Sequence, residues 1–117
     1  MIAPRAGLRV WVATRPIDFR KGVHGLVAAA ADILRVDPYG GDVIVFRSKR
    51  SDRVKLLAWD GSGIILATKW LENGRFCWPP IQDGVICLTA TQLALLLDGL
   101  EWSRAVAPPA KKPVLAG

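Results

Sequence analysis

The sequence predicts an α+β fold, in which an antiparallel β-meander of about five to six short strands carries two packed amphipathic helices. Three observations support it: one long early segment with helical apolar spacing, four short apolar runs joined by turn residues, and a helix-capping motif after them. Consecutive short runs with tight turns pair with their neighbours, so antiparallel strands are expected. The 117 residues are enough for one domain, predicted at 1–104, followed by a flexible, basic, Pro-rich tail at 105–117.

The first two elements are a strand and a helix. Residues 8–14 are apolar, β-branched and aromatic and lie between Gly7 and Pro16, which predicts a strand. Residues 22–36 predict a helix with one buried stripe, formed by Val23, Leu26, Val27, Ala30, Ile33 and Leu34. The Asp-Pro-Tyr-Gly-Gly sequence at 37–41 ends this helix, since proline and glycine continue a helix only at a cost in free energy.

The meander is predicted to contain strands at residues 42–46, 54–59, 63–71 and 75–78. Asn73-Gly74, between the last two, is a strong hairpin signal because both residues tolerate positive φ. Residues 85–88 predict a further short strand. Residues 89–97 predict the second helix, in which Thr89 and Gln92 match a capping box.

Charge is unevenly distributed along the chain. The formal net charge of +6 is the sum of +6 in residues 1–55, −3 in residues 56–101 and +3 in residues 102–117. A hydrophobic fraction of 51% excludes a wholly disordered chain, and no apolar run reaches the roughly 18 residues that cross a bilayer. The N-terminal residues lack a signal-peptide core, so a cytoplasmic protein without a membrane partner is expected.

The sequence contains no set of residues typical of an enzyme active site. His24 is the only histidine, and an exposed position at a helix start explains it more simply than a catalytic pair with Asp18 or Asp32. Cys77 and Cys87 either form a disulfide across a hairpin or are two small buried residues. Their spacing matches no metal site, and no glycine-rich stretch matches a phosphate-binding loop. We therefore expect a non-enzymatic protein with no metal and no cofactor.

The densest basic segment, residues 47–55, lies between two apolar runs and contains Arg47, Lys49, Arg50, Arg53 and Lys55. On a hairpin, strand alternation would place these bases on neighbouring faces, where they could bind phosphates through charge-assisted hydrogen bonds. A solvated hairpin tip is the alternative interpretation. A second cluster, formed by Arg15, Arg20 and Lys21, precedes the first helix. Cations there oppose the helix dipole, which favours a functional reason for them.

Five tryptophans offer aromatic surfaces for core packing or for stacking. Trp70 follows Lys69, and Trp78 lies three residues past Arg75. These two tryptophans are therefore the best candidates for an exposed face that interleaves aromatic and basic residues, and Lys69 and Arg75 join the predicted DNA-binding set. Core packing is the alternative for both tryptophans.

Several short stretches together resemble a known family. They are Arg9-Val-Trp-Val12, Asp18-Phe-Arg-Lys-Gly22 with Gly25-Leu26, Val45-Phe-Arg47, Asp52-Arg-Val-Lys55, Trp59-Asp60 with Gly63, Leu71-Glu-Asn-Gly-Arg-Phe76 with Trp78-Pro79, and Leu88-Thr89 with Gln92-Leu93 and Leu97. In order and spacing they are similar to the accessory proteins called TnpB, which insertion sequences of the IS66 family encode in their second open reading frame. The resemblance covers residues 2–103. It does not extend to the RNA-guided nuclease also called TnpB, which is much longer and carries a zinc ribbon.

This resemblance implies a bacterial protein that is encoded beside a separate transposase and is needed for movement of the element. At Val23 and His24 the chain departs from the family, which usually has an aromatic residue and an aspartate there.

Two functions are compatible with the sequence. The first hypothesis is a DNA-binding accessory protein that contacts DNA, such as the transposon ends, through both basic clusters. Five hairpin bases on duplex phosphates would give a slope of log K against log salt of about −4.5. The second is a protein-interaction module that docks on the transposase or forms a homo-oligomer through sheet edges and exposed tryptophans.

Overall fold

The computed structural model describes residues 8–82 and 84–103. Five strands lie in this part of the chain: β1 (Val10–Ala13), β2 (Val43–Arg47), β3 (Arg53–Trp59), β4 (Ile64–Trp70) and β5 (Val85–Leu88). Between β1 and β2, helix α1 (Val23–Ala29) continues into a π-helical turn (Ala30–Leu34). Helix α2 (Ala90–Leu97) follows β5.

All five strands belong to one mixed sheet, in the order β4-β3-β2-β1-β5. Strands β2, β3 and β4 form the predicted antiparallel meander, and β5 pairs antiparallel with β1. Strand β1 runs parallel to β2, with Val10 opposite Val43 and Val12 opposite Val45. This parallel pair is possible because the α1 segment supplies the long crossover that parallel neighbours need. The α+β class is confirmed, with one parallel pair that a simple meander lacks.

The two helices lie on opposite faces of the sheet, because successive strand residues alternate between the faces. The α1 face has a buried core of Ala13, Leu26, Ala29, Ala30, Val36, Ile44, Phe46 and Leu57. The α2 face has a buried core of Val10, Val12, Val43, Val45, Val54, Ala58, Phe76, Leu88, Leu96 and Trp102. The sheet is therefore the middle layer of three.

The end of the first helix differs from the predicted stripe at Ile33. That side chain is 70% exposed, although its spacing from Leu26 and Ala30 predicts burial. The reason is the π-helical turn, whose i→i+5 hydrogen bonds take more residues per turn and shift the phase of the stripe. Arg35 ends the segment in a left-handed conformation, with a φ of 60°.

The predicted strand at residues 75–78 is wrong, because this segment crosses the α2 face instead of joining the sheet. Asn73-Gly74 turns the chain, with a φ of 80° at the glycine, but no hairpin follows. The Phe76 side chain is buried in the α2-face core. The Trp78 indole N–H donates to the Ala13 carbonyl at 2.8 Å. Burial of these two rings favours a path across the sheet over a further strand at its edge.

Helix α2 begins as the sequence predicts. Thr89 Oγ1 accepts from the Gln92 N–H at 3.0 Å, and the Gln92 side chain accepts from the Thr89 N–H at 2.9 Å, which completes the capping box. Gly99, with a φ of 75°, follows the helix, where a left-handed residue ends many helices. Neither helix of the described residues is long and apolar enough to cross a membrane. The tail predicted at 105–117 lies outside these residues.

Candidate nucleic-acid interface

The two predicted basic clusters meet at one end of the sheet. Strands β1 and β2 are parallel, so the segments that follow them leave the sheet at the same end. The Ile17 N–H donates to the Arg47 carbonyl at 3.1 Å, which joins the two segments directly. We name residues 15–21 and 47–55 the basic end. Together they contain eight bases and two acids.

Phe19 connects the two segments of the basic end. The guanidinium carbon of Arg53 lies 5.0 Å from the centroid of its ring, and Lys55 Nζ lies 4.8 Å from it. The quadrupole of an aromatic ring attracts cations within about 6 Å. Lys55 Nζ also donates to the carbonyls of Phe19, at 2.8 Å, and Lys21, at 2.9 Å. Lys55 therefore holds the first segment against β3, and two of its three N–H donors are used within the protein instead of on a phosphate.

An open groove with a volume of about 540 Å³ lies between the two segments. Pro16, Ile17 and Phe19 give its lining an apolar part, while Lys49 and Arg53 are among the bases that line it. A lining of this kind suits an anion that also carries an apolar group.

Arg47 is buried, which corrects its predicted place on the binding surface: only 8% of the residue is exposed. Its Nε and Nη2 donate to the Thr14 carbonyl, each at 3.4 Å. Its Nη1 donates to the carbonyls of Ser48 and Lys49, each at 3.3 Å, and to Ser51 Oγ at 3.2 Å. Burial lowers the pKa of Arg47 from its usual value. Arg47 therefore holds the backbone of the basic end together and is not a surface contact.

The turn from β2 to β3 presents Lys49 and Arg50 at its exposed tip. The Ser51 N–H donates to the Ser48 carbonyl at 3.1 Å, which closes the turn, and Ser51 has a left-handed φ of 60°. The Ser48 hydroxyl donates to Asp52 Oδ1 at 3.1 Å. Two exposed bases thus stand on a turn whose backbone and side chains are tied by hydrogen bonds.

The two acids of the basic end neutralise part of its charge. Asp18 accepts from Arg20 Nη2 at 2.8 Å and from Arg20 Nε at 3.0 Å. These side-chain hydrogen bonds, followed by one from the Arg20 backbone N–H, hold the pKa of Asp18 well below its usual range, so it is ionised at neutral pH. Asp52 makes a longer contact, 3.8 Å, with Arg53 Nε. The positive charge of Arg20 is therefore neutralised by Asp18, whereas Lys21 remains an exposed positive charge.

Two other predicted contacts lie on the α2 face. Lys69 Nζ donates to the Leu97 carbonyl, so this base stabilises the C-terminus of α2, where a cation is favourable. Trp78 is half-buried against the α2-face core. Both depart from the predicted DNA-binding surface, because strand alternation and the path of the segment before β5 direct them to this face.

Arg75 and Trp70 lie beside the basic end. Arg75 is exposed, and the N–H of its neighbour Phe76 donates to the Ser51 carbonyl of the turn at 2.7 Å. Trp70 is 62% exposed and lies directly opposite Arg53 in the β3–β4 pair. Of the two tryptophans predicted to be exposed, Trp70 is the one on the surface.

The titratable residues considered for catalysis stand apart from one another. Cys77 and Cys87 are free, so the disulfide interpretation is wrong, and Cys87 is exposed instead of buried. His24 is exposed on α1, while Asp18 pairs with Arg20. Among residues 8–82 and 84–103, no group of three His, Cys, Asp or Glu side chains could hold a metal ion.

Sequence reasoning overlooked Phe19 and Thr14. An aromatic residue among charged ones, in Asp18-Phe-Arg-Lys21, is a signal that can identify Phe19. Thr14 carries no such signal. Its hydroxyl donates to the Gln82 carbonyl, and its own carbonyl accepts from Arg47, so its role depends on residues 68 and 33 positions away.

Comparison with known proteins relates the whole described fold to one group of sequences. A family model described as "IS66 Orf2 like protein" matches residues 8–107. "Uncharacterized protein y4jC" of Sinorhizobium fredii (strain NBRC 101917 / NGR234) is 51% identical over 113 residues, which cover 97% of each chain. "Uncharacterized protein y4hO" of the same strain is 36% identical over 102 residues, which cover 87% of this chain and 89% of that protein. No solved structure matches the chain significantly.

Proposed function

The chain belongs to the IS66 Orf2-like family, which suggests an accessory role in transposition, and from this premise we propose that it binds DNA through the basic end. The family is one of accessory proteins and not of known enzymes, and the proposed role contains no catalytic step. The DNA is that of the mobile element, with the element ends as the first sites to test. The transposase of the same element then acts on DNA that this protein holds.

One observation carries the proposal: the two basic segments form a single surface. They meet at Phe19, whose ring contacts Arg53 and Lys55 of the other segment. Residues 15–21 and 47–55 were separate candidates in the sequence, and either alone would be a small patch. Joined, they concentrate positive charge at one end of the sheet, and such a surface attracts polyanions and releases their counterions on binding.

The side chains available to phosphates are fewer than the sequence predicts. Arg47 and Lys55 donate to backbone carbonyls, and Arg20 is paired with Asp18. The four bases that we assign to phosphates are Lys21, Lys49, Arg50 and Arg53. Each phosphate contact contributes about −0.9 to the slope of log K against log salt, so four contacts predict a slope of about −3.6.

Fluorescence anisotropy of labelled element-end DNA across a salt series tests this function. Arg50→Gln removes one exposed base from the turn. The slope is expected to become shallower, at about −2.7, and binding at low salt is expected to be about tenfold weaker. Arg35→Asn is the matched control, because it removes the same charge at the opposite end of β2, and asparagine tolerates the left-handed backbone there. This control is expected to leave the slope at about −3.6.

Two results contradict the proposal. One is the absence of binding to any DNA at low salt. The other is an equal loss of affinity in Arg50→Gln and Arg35→Asn, which would mean that net charge matters and its location does not. Thermal unfolding of both variants shows whether the fold is intact in each comparison.

A second candidate function is protein interaction through β4. This strand is at the edge of the sheet and, within the described residues, pairs with β3 alone. Ala67, Thr68 and Trp70 on it are exposed. The unpaired backbone of an edge strand can accept a strand from another chain. The partner is the transposase of the same element or a second copy of this chain.

Co-precipitation with the transposase of the element, with and without nuclease treatment, separates the two candidates. A complex that survives the nuclease favours direct protein contact. A complex that the nuclease abolishes favours DNA as the bridge and therefore the basic end.

A further inference from the structure

Among the described residues, Trp70 is the one tryptophan whose position is not explained by a contact within the fold. Trp11, Trp78 and Trp102 each donate an indole N–H to a protein oxygen, and the Trp59 ring contacts that of Tyr39. Trp70 is 62% exposed at the end of β4. A large apolar side chain left in water forgoes the free energy of burial, and an aromatic ring exposed beside bases is a candidate for base stacking.

The position of Trp70 places it beside Arg53, one of the four bases that contact phosphates in the proposed function. Arg53 is directly opposite it in the antiparallel pair, and side chains at such positions share one face. Lys55 lies two residues further along that face. The Phe19 ring already has Arg53 and Lys55 against it, whereas the Trp70 ring is 62% exposed and open to a ligand.

The groove lies on the other side of Arg53 from Trp70. Its volume is about 540 Å³, within the ~300–1,000 Å³ of small-molecule sites, and Ile17 and Pro16 give it apolar surface next to Lys49. A nucleotide of an unpaired strand has both an apolar base face and a phosphate. In a double helix the base faces are stacked on each other, so a duplex offers only its edges and backbone.

We propose that the basic end binds single-stranded DNA, an inference that rests on the DNA-binding function proposed above. Phosphates of the unpaired strand lie along Lys49, Arg50 and Arg53. One base stacks on Trp70, and a neighbouring base enters the groove against Ile17. An exposed aromatic platform beside a basic track is the general design of proteins that hold single strands without reading their sequence.

Anisotropy titrations of the full chain with labelled oligothymidine and with a matched duplex test the inference. The wild-type protein is expected to prefer the single strand. Trp70→Leu keeps an apolar side chain but removes the ring, and it is expected to weaken single-strand binding by about fivefold or more while duplex binding changes by less than about twofold. Trp70→Phe is expected to restore most of the single-strand affinity.

Two further measurements locate the effect. Tyr39→Leu is the matched control, since it removes a 54% exposed aromatic residue at the opposite end of the sheet, and no change in binding is expected. Oligothymidine is also expected to quench the tryptophan fluorescence of the wild-type protein. Trp70→Phe should lose most of that quenching while it keeps its affinity.

The outcomes separate this inference from the function on which it rests. No binding of either DNA form overturns both. Duplex binding with equal losses for both forms in Trp70→Leu overturns the single-strand inference alone. A change in oligomeric mass in Trp70→Leu, measured by light scattering and without a change in strand preference, assigns Trp70 to contact between copies and also overturns it.

Discussion

The two ends of the sheet use charge in different ways. The basic end holds eight bases and two acids, whereas the opposite end holds Arg9 and Arg35 against Asp37, Asp42 and Asp60. At the opposite end the three acids accept hydrogen bonds from their own chain, as Asp42 does from the Arg9 N–H and the Trp11 indole. At the basic end Lys49 and Arg50 stand exposed on a turn.

The number of charges at an end of the sheet does not by itself identify a binding surface. Both ends contain an arginine with a partner in its own chain: the exposed Arg9 makes an ion pair with Asp42, and the buried Arg47 donates to the Thr14 carbonyl. What distinguishes the basic end is the surplus of bases beyond those with internal partners. Variants placed symmetrically at the two ends can therefore separate structural charges from those that meet a ligand.

The largest effect is expected from Arg47→Ala. It removes the guanidinium that contacts the Thr14 carbonyl and Ser51 Oγ, and buried acceptors would be left without a donor. We expect a loss of about 2–4 kcal/mol in the free energy of unfolding, measured by urea titration. Arg47→Lys keeps the charge but cannot span the same acceptors, so an intermediate loss is expected. Unchanged stability of Arg47→Ala combined with weaker DNA binding would show that Arg47 contacts DNA and does not stabilise the fold.

Asp42→Ala tests the opposite end. The Arg9 N–H at 3.2 Å and the Trp11 indole N–H at 3.0 Å would lose their acceptor. We expect unfolding to become easier by about 1–2 kcal/mol, with DNA affinity nearly unchanged because the site is distant and screened. Asp42→Asn keeps an acceptor for one of these N–H groups but places an NH2 donor against the other, so it should recover only part of the lost stability. A large gain of DNA affinity in Asp42→Ala would show that the ends are not separate.

Phe19→Leu tests the connection between the two basic segments. The change keeps apolar volume but removes the ring that contacts Arg53, and we expect a loss of about 0.5–1 kcal/mol in unfolding free energy. A double-mutant cycle with Arg53→Met isolates that contact. The same cycle with Arg35→Asn should be additive within about 0.5 kcal/mol, since Arg35 lies elsewhere. Additivity in both cycles would mean that the contact between Phe19 and Arg53 does not couple the segments.

The smallest expected effect is a gain in DNA affinity. Asp18→Asn removes the carboxylate that compensates Arg20, and DNA affinity is expected to rise by about threefold at low salt, with a steeper salt slope. Because the pKa of Asp18 is lowered in the fold, the ion pair persists above the usual carboxyl pKa and is lost only as the pH falls well below it. The gain should therefore be the same at pH 6 and pH 8.

Asp60→Asn is the matched control for that gain. Asp60 accepts from the backbone N–H groups of Ser62 and Gly63, which lower its pKa, so it too is ionised at neutral pH. Its removal changes the net charge equally but at the opposite end, and the DNA affinity is expected to stay level. An equal gain in both variants would contradict a localised binding surface.

Much of the fold could be predicted from local signals. The strands β2, β3 and β4, the capping box at Thr89 and Gln92, and the bounds of α2 follow from short-range apolar spacing and turn residues. The failure at residues 75–78 came from tertiary packing. The strand predicted at 75–78 had the right residue types, but burial of Phe76 on the α2 face outweighed pairing at the edge.

The candidate site could be predicted in part. The exposure of Lys49 and Arg50 follows from their place in a turn between two strands. The internal contacts of Arg47 and Lys55 cannot be predicted in this way, because each side chain donates to a backbone carbonyl of a distant segment. A basic residue within such a cluster looks the same in the sequence whether its partner is a phosphate or a backbone oxygen.

Local signals were enough to predict the short elements, their order and the two basic clusters, because capping, turn and alternation signals act over a few neighbouring residues. The tertiary structure decided that β1 and β2 run parallel, and this brings the segments after them to one end. It also decided which bases face water, since burial of Arg47 depends on Thr14, 33 residues away. Desolvation and packing belong to the whole fold, and no local pattern reports them.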